Sequence, residues 1–210
     1  MRVLIFGDSI AQGFYDRQGG WADRVRHYFD NKLIDTSDMS QPTVFNLGIS
    51  GNTTKTLLKR LENEIVARIW PGEEFAFVLA TGTNDSIYRP AGNHSEPDIY
   101  TKQLNELLAI AQKHSTKIVF VGLFPVVDKL VQPLPWSKSG KSYSTERVKL
   151  FDSALRDFCK TNNVPYIDLW NSFEKAPDLN ALLFDGVHPN DAGHKLIADL
   201  VQPKVKEFAA

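Results

Sequence analysis

The residues best suited to chemistry stand at opposite ends of the chain. Gly7, Asp8, Ser9 and Ile10 follow the apolar run Val3 to Phe6. Ser9 is therefore expected where a strand turns into a helix, with its own N–H among the unpaired donors of that first turn. Near the other end, Asp185, Gly186, Val187, His188 and Pro189 set a carboxylate three residues before an imidazole. Across a glycine turn that carboxylate can reach Nδ1 and leave Nε2 to take a proton from a hydroxyl. Pro189 disfavours a helical backbone at His188. Taken singly, Gly-Asp-Ser is more often a turn or a helix cap than a nucleophile.

Two further stations supply hydrogen-bond donors. Asn46, Leu47, Gly48, Ile49, Ser50, Gly51, Asn52 and Thr53 form a polar, glycine-rich stretch after a second apolar run. Gly48, having no side chain to crowd a substrate, is expected to turn its N–H into the site; the bland alternative is a strand-to-helix turn. Thr81, Gly82, Thr83, Asn84 and Asp85 follow a third run. The Asn84 amide can donate to charge developing on a carbonyl oxygen, with Asp85 bracing the loop and Asp8 supporting the nucleophile turn.

Those stations need a frame. Val3 to Phe6, Val44 to Leu47, Phe75 to Ala80, Ile118 to Gly122 and Tyr166 to Leu169 read as five buried strands. Helical spacing lies between and after them: Leu57, Leu58, Leu61 and Ile65; Tyr100, Leu104, Leu107, Leu108 and Ala111; Val148, Phe151, Ala154, Leu155 and Phe158; Leu196, Ile197, Leu200 and Val201. Start signals are Thr53 or Thr54, Pro97 and Asp98, Ser144 or Thr145, and Asn190, and Pro203 is expected to kink or shorten the last helix. Parallel neighbours need crossover helices, so the alternation predicts a three-layer α/β/α domain over residues 1–210, with ligands beyond the carboxyl ends of the strands.

Specificity is expected in the loops after the third and fourth strands, with Ile87, Tyr88, Phe124, Val126 and Trp136 as the substrate wall and Arg89 and Val127 nearby. Residues 124–143 are long for a connection and read as a substrate-covering flap or a plain surface excursion.

The remaining composition mostly excludes. With 24 basic and 25 acidic residues the net charge is −1, which gives no pull toward nucleic acid. Cys159, the single cysteine, reads as a small buried hydrophobe, so neither a disulfide framework nor a thiolate metal cluster is expected. His27, His94, His114 and His194 read as surface groups rather than metal ligands, and Asp168 as a strand terminator. No stretch has the length of a signal-peptide apolar region or a membrane span, which points to a cytoplasmic location, with a monomer or weak homodimer as the default.

In order, Gly-Asp-Ser, Asn-x-Gly-x-Ser-Gly, Gly-Thr-Asn-Asp and Asp-Gly-Val-His-Pro-Asn resemble the blocks of the SGNH, or GDSL-type, hydrolase superfamily, from Gly7 to Asn190. The resemblance implies a flavodoxin-like sandwich with strand order 2-1-3-4-5 and a cofactor-free serine esterase acting on a small-molecule acyl ester, with lipid, thioester and carbohydrate-ester substrates all left open. It implies Ser9 as nucleophile, His188 as base, Asp185 as its orienter, and the Ser9 N–H, Gly48 and Asn84 as oxyanion donors. A nucleotide-binding module would want Gly-x-Gly-x-x-Gly after the first strand, and the chain lacks the second glycine. A catalytically silent carbohydrate- or acyl-binding relative is the rival expectation.

Overall fold

The computed structural model describes residues 1–210. Five strands, β1 (Arg2–Gly7), β2 (Thr43–Gly48), β3 (Phe75–Leu79), β4 (Ile118–Val121) and β5 (Tyr166–Ile167), form one sheet in the order β2-β1-β3-β4-β5. Every pairing is parallel. Side chains alternate across a strand, so each of the central strands feeds two cores. Leu4, Phe6, Phe77, Leu79 and Phe120 pack on one face, beneath α3 (Thr54–Val66), α4 (Pro97–Gln112) and α6 (Thr145–Thr161). Val3, Ile5, Ala76, Val78 and Val119 pack on the other, beneath α2 (Trp21–Thr36) and α8 (Asp191–Ala209). Three short helices complete the set: α1 (Ser9–Gln12), α5 (Asp128–Val131) and α7 (Trp170–Glu174).

The caps fall where the sequence places them. The Thr53 hydroxyl accepts from Thr56 N–H while Thr56 answers to Thr53 N–H, a reciprocal box that starts α3. Ser144 caps α6, and Asn190 Oδ1 accepts from Ala192 and Gly193 N–H at the start of α8. Helix α2 carries no sequence expectation above, although Trp21, Ala22, Val25 and Phe29 form its buried stripe. Pro203 does not shorten α8, which runs on to Ala209. It sits on the exposed face, where the carbonyl it leaves unbonded, that of exposed Asp199, meets solvent, while Val201 and Val205 stay buried. No helix is long and apolar enough to cross a membrane.

Candidate active site

Strand β1 ends at Gly7, and the carboxylate of Asp8 caps α1 by accepting from Ile10 N–H at 2.9 Å. Ser9 is thereby the first residue of a helix whose opening N–H groups have no carbonyl behind them. At the far end of the chain, Gly186 adopts φ +92°, which lets the backbone reverse between Asp185 and His188. Asp185 Oδ1 then accepts from Val187 and His188 N–H, at 3.1 and 2.8 Å. Its Oδ2 lies 2.8 Å from His188 Nδ1, and His188 Nε2 lies 2.9 Å from Ser9 Oγ. Burial works against ionisation of Asp185, but the hydrogen bond and charge of His188 with the two N–H donors outweigh it, and its pKa is lowered.

Asn84 reaches the same place from the end of β3. Its Nδ2 donates to Asn52 O at 3.0 Å and to Asp8 Oδ2 at 3.2 Å, and its Oδ1 accepts from Tyr143 O–H at 2.9 Å. Both amide hydrogens therefore have partners at rest, and Asn84 meets an oxyanion only by releasing one of them. Burial raises the pKa of Asp8 to about 6 against the pull of Ile10 N–H and the charge of His188. Asp85 is also raised to about 6 by burial, partly offset by Thr54 N–H, which donates to both its oxygens and ties the β3 loop to α3.

The cleft beside Ser9 and His188 holds about 340 Å³, and Gly51, Asn84, Ile87, Trp136 and Tyr143 are among its walls. The glycine expected to donate here is a different one. Gly48 N–H is taken by Asn46 Oδ1 at 3.1 Å, and Gly48 lies against the backbone of Ala11 and Gln12, so that an added Cβ would stand 2.3 Å from Gln12 N. Its missing side chain makes room for α1, not for a substrate. Gly51, at φ +78°, lines the cleft, and its N–H has no acceptor in the protein.

Of the expected substrate wall, Ile87 and Trp136 line the cleft. Tyr88 pairs with Ser142 in an antiparallel bridge instead. Phe124 stacks on Phe173 at 4.3 Å and Val126 joins the core under α4 and α6, so both are packing residues. The 124–143 connection is anchored by the buried Val131, Leu134 and Tyr143, and it lends the cleft the exposed Trp136 together with Lys141 and Tyr143.

His194 is fully buried, contrary to its surface reading. Its Nδ1 lies 3.1 Å from Trp21 N–H and its Nε2 2.9 Å from Phe14 O, joining α8 to α2 and to the turn that borders His188. In that turn Tyr15, at φ +66°, stacks on Phe184 with centroids 4.1 Å apart and sets its ring edge-on to His188. His94 is half-buried with Nδ1 3.0 Å from Asn84 O, and His114 pairs with Glu62, while His27 is exposed. Asp168 starts α7 by accepting from Asn171 N–H, and Cys159 is buried, its thiol pushed up to about 12 by burial.

Gly51, Tyr143, Phe14 and Tyr15 went unmarked by sequence reasoning. A signal existed for Gly51, in the same glycine-rich stretch as Gly48; none existed for Tyr143, whose partner is 59 positions away.

A parallel sheet in this order, with a hydroxyl, an imidazole and a carboxylate in line at its carboxyl edge, defines an α/β hydrolytic scaffold. The family model of the GDSL-like lipase/acylhydrolase family matches residues 5–196, and the chain belongs to that family. It is a carboxylic ester hydrolase. Among similar proteins, a GDSL esterase/lipase of Oryza sativa subsp. japonica is 22% identical, covering 97% of this chain and 77% of the relative. An isoamyl acetate-hydrolyzing esterase 1 homolog of Mus musculus is 26% identical, covering 93% and 78%. The crystal structure of a lipase/acylhydrolase from Enterococcus faecalis superposes with a TM-score of 0.72 at 23% identity, over 99% of this chain and 95% of that one.

Proposed function

We propose that the protein hydrolyses a small carboxylic ester through an acyl-enzyme on Ser9. The support is the unbroken line from Asp185 Oδ2 through His188 to Ser9 Oγ, with both contacts under 3 Å. His188 Nε2 takes the Ser9 proton as Oγ bonds to the acyl carbon, and the carbonyl electrons move onto oxygen. The oxyanion is met by the N–H groups of Ser9 and Gly51, both unpaired, and by Asn84 Nδ2 as it lets go of Asp8. When the tetrahedral centre collapses, the carbon–oxygen bond to the alcohol breaks and His188 protonates the departing oxygen. Water, deprotonated by His188, then attacks the acyl carbon and releases the acid, returning the proton to Ser9.

A cleft of about 340 Å³ is at the small end for ligand pockets, which favours an ester of modest size with an apolar arm against Phe14, Tyr15 and Trp136. The mouse relative is named for isoamyl acetate, an ester of that size.

The test is covalent labelling. A fluorophosphonate probe, read by intact mass and peptide mapping, is expected to add once, at Ser9, and not at all to Ser9→Ala. A folded native protein that stays unmodified overturns the acyl-serine mechanism.

A further inference from the structure

Tyr143 takes no part in the mechanism above, yet its hydroxyl ends inside the machinery. It is buried, and its O–H donates to Asn84 Oδ1 at 2.9 Å. Its backbone is held as firmly: Tyr143 N–H donates to Val131 O, and the preceding Ser142 exchanges both backbone hydrogen bonds with Tyr88, three and four residues beyond Asp85 and Asn84. The connection from β4 to α6 is thus stitched to the β3 loop so that one phenol meets one amide.

An amide presents oxygen and nitrogen of nearly the same size and shape, and only its partners decide which faces the substrate. Here Nδ2 faces two acceptors, Asp8 Oδ2 and Asn52 O, and Oδ1 faces one donor, Tyr143 O–H. Turnover loosens the first side, because Nδ2 must leave an acceptor to meet the oxyanion. The bond to Tyr143 is the one that persists through that exchange. An O–H donated to an amide oxygen also polarises the group and strengthens its N–H as a donor, so phenol, amide and oxyanion form a cooperative chain. Burial, with the charges of Asp8 and Asp185, holds the Tyr143 pKa above the ordinary tyrosine value, which keeps the group a donor.

Resting on the oxyanion role of Asn84, we infer that Tyr143 is the positioning residue for that donor, fixing the orientation of the amide and sharpening its hydrogen bond in the transition state. Its contribution therefore appears in kcat and depends on Asn84.

A double-mutant cycle on the full chain, with a soluble acetate ester as substrate, tests this. Tyr143→Phe is expected to lower kcat about tenfold, the worth of one hydrogen bond, with KM within about twofold; in an Asn84→Ala background the same change should cost nothing more. Equal losses in the two backgrounds, an unchanged kcat, or an effect confined to KM overturns the inference. Incorporating 3-fluorotyrosine at 143, which keeps the ring and the O–H, separates packing from donation: turnover is expected to survive, and a loss matching Tyr143→Phe overturns the inference. Full turnover in Asn84→Ala alone removes the oxyanion assignment beneath it and is read separately.

Discussion

Ser9 Oγ and His188 Nε2 stand 2.9 Å apart although 179 positions separate them, and each is held there by its own local device. Asp8 caps the turn that presents the hydroxyl, and Asp185 clamps the turn that presents the imidazole. The two turns meet because β1 and the loop before α8 end at the same edge of the sheet. On the proposed mechanism, Ser9→Ala removes the attacking oxygen and leaves almost no hydrolysis. Asp185→Asn disturbs the imidazole by up to ~10⁴-fold in kcat but retains turnover measurable above background. Steady-state kinetics on purified variants check the ranking, and Asp185→Asn proving the more severe defect reverses it.

Asn84→Ala is expected to lower kcat by ~10²- to 10³-fold. It also strands the Tyr143 O–H and the acceptors on Asp8 and Asn52, so thermal unfolding should move down by the equivalent of ~1–3 kcal/mol with the fold retained. Near-native kcat in this variant is the outcome that sinks the oxyanion assignment.

The two glycines of the β2 loop separate cleanly by substitution. Gly48→Ala forces a methyl against the Gln12 and Ala11 backbone, within 2.3 and 2.7 Å, and is expected to show up first as a lower unfolding midpoint in urea. Gly51→Ala meets open space but must hold φ +78°, a strain of ~1–2 kcal/mol carried by the loop that aims its N–H. It is expected to lose kcat out of proportion to stability. A stable, poorly active Gly48→Ala returns the donor role to that residue.

Asp8 and Asp85 should each take stability away as pH rises from about 4 to 6. Asp8 and Asp85 have folded-state pKa values of about 6 against an ordinary 3.8. Protonated, they are tolerated in burial; ionised, they are not, so their contribution is complete below pH 4 and lost as pH climbs through 6, at roughly 3 kcal/mol for Asp8. Asp16 runs the other way, but Arg24 holds it at about 2 despite burial, and its effect lies below this window. His194 and His94, whose pKa burial lowers from 6.5, oppose the carboxyls within the window, because protonating them as pH falls costs stability. Urea midpoints between pH 4 and 7.5 for the native protein and Asp8→Asn measure the difference, and the variant should lose less stability, or gain more, as pH rises. A slope unchanged by that substitution means Asp8 is not its source.

Much of this was legible from local patterns. Strand ranges, four helix starts and the four site segments are each set within a few residues, by apolar spacing, by a Ser, Thr or Asn before a helix, or by a carboxylate three residues from an imidazole. Helix α2 escaped because charged residues dilute its stripe, and Pro203 misled because its exposed position blunts the cost of a lost hydrogen bond. Trp136 was found in the cleft and Phe124 was not, since both are aromatic residues in one loop and nothing in either residue says which way it faces.

By itself, then, the amino-acid order determined which chemical groups the molecule carries to the edge of its sheet, because strand ends and caps are short-range features. Only the tertiary structure decided which glycine lines the cleft, that His194 is sealed inside, and that a phenol from the β4–α6 connection meets the Asn84 amide. Those choices depend on which backbone packs against which, at separations of tens to nearly two hundred residues, and no local rule of spacing carries that information.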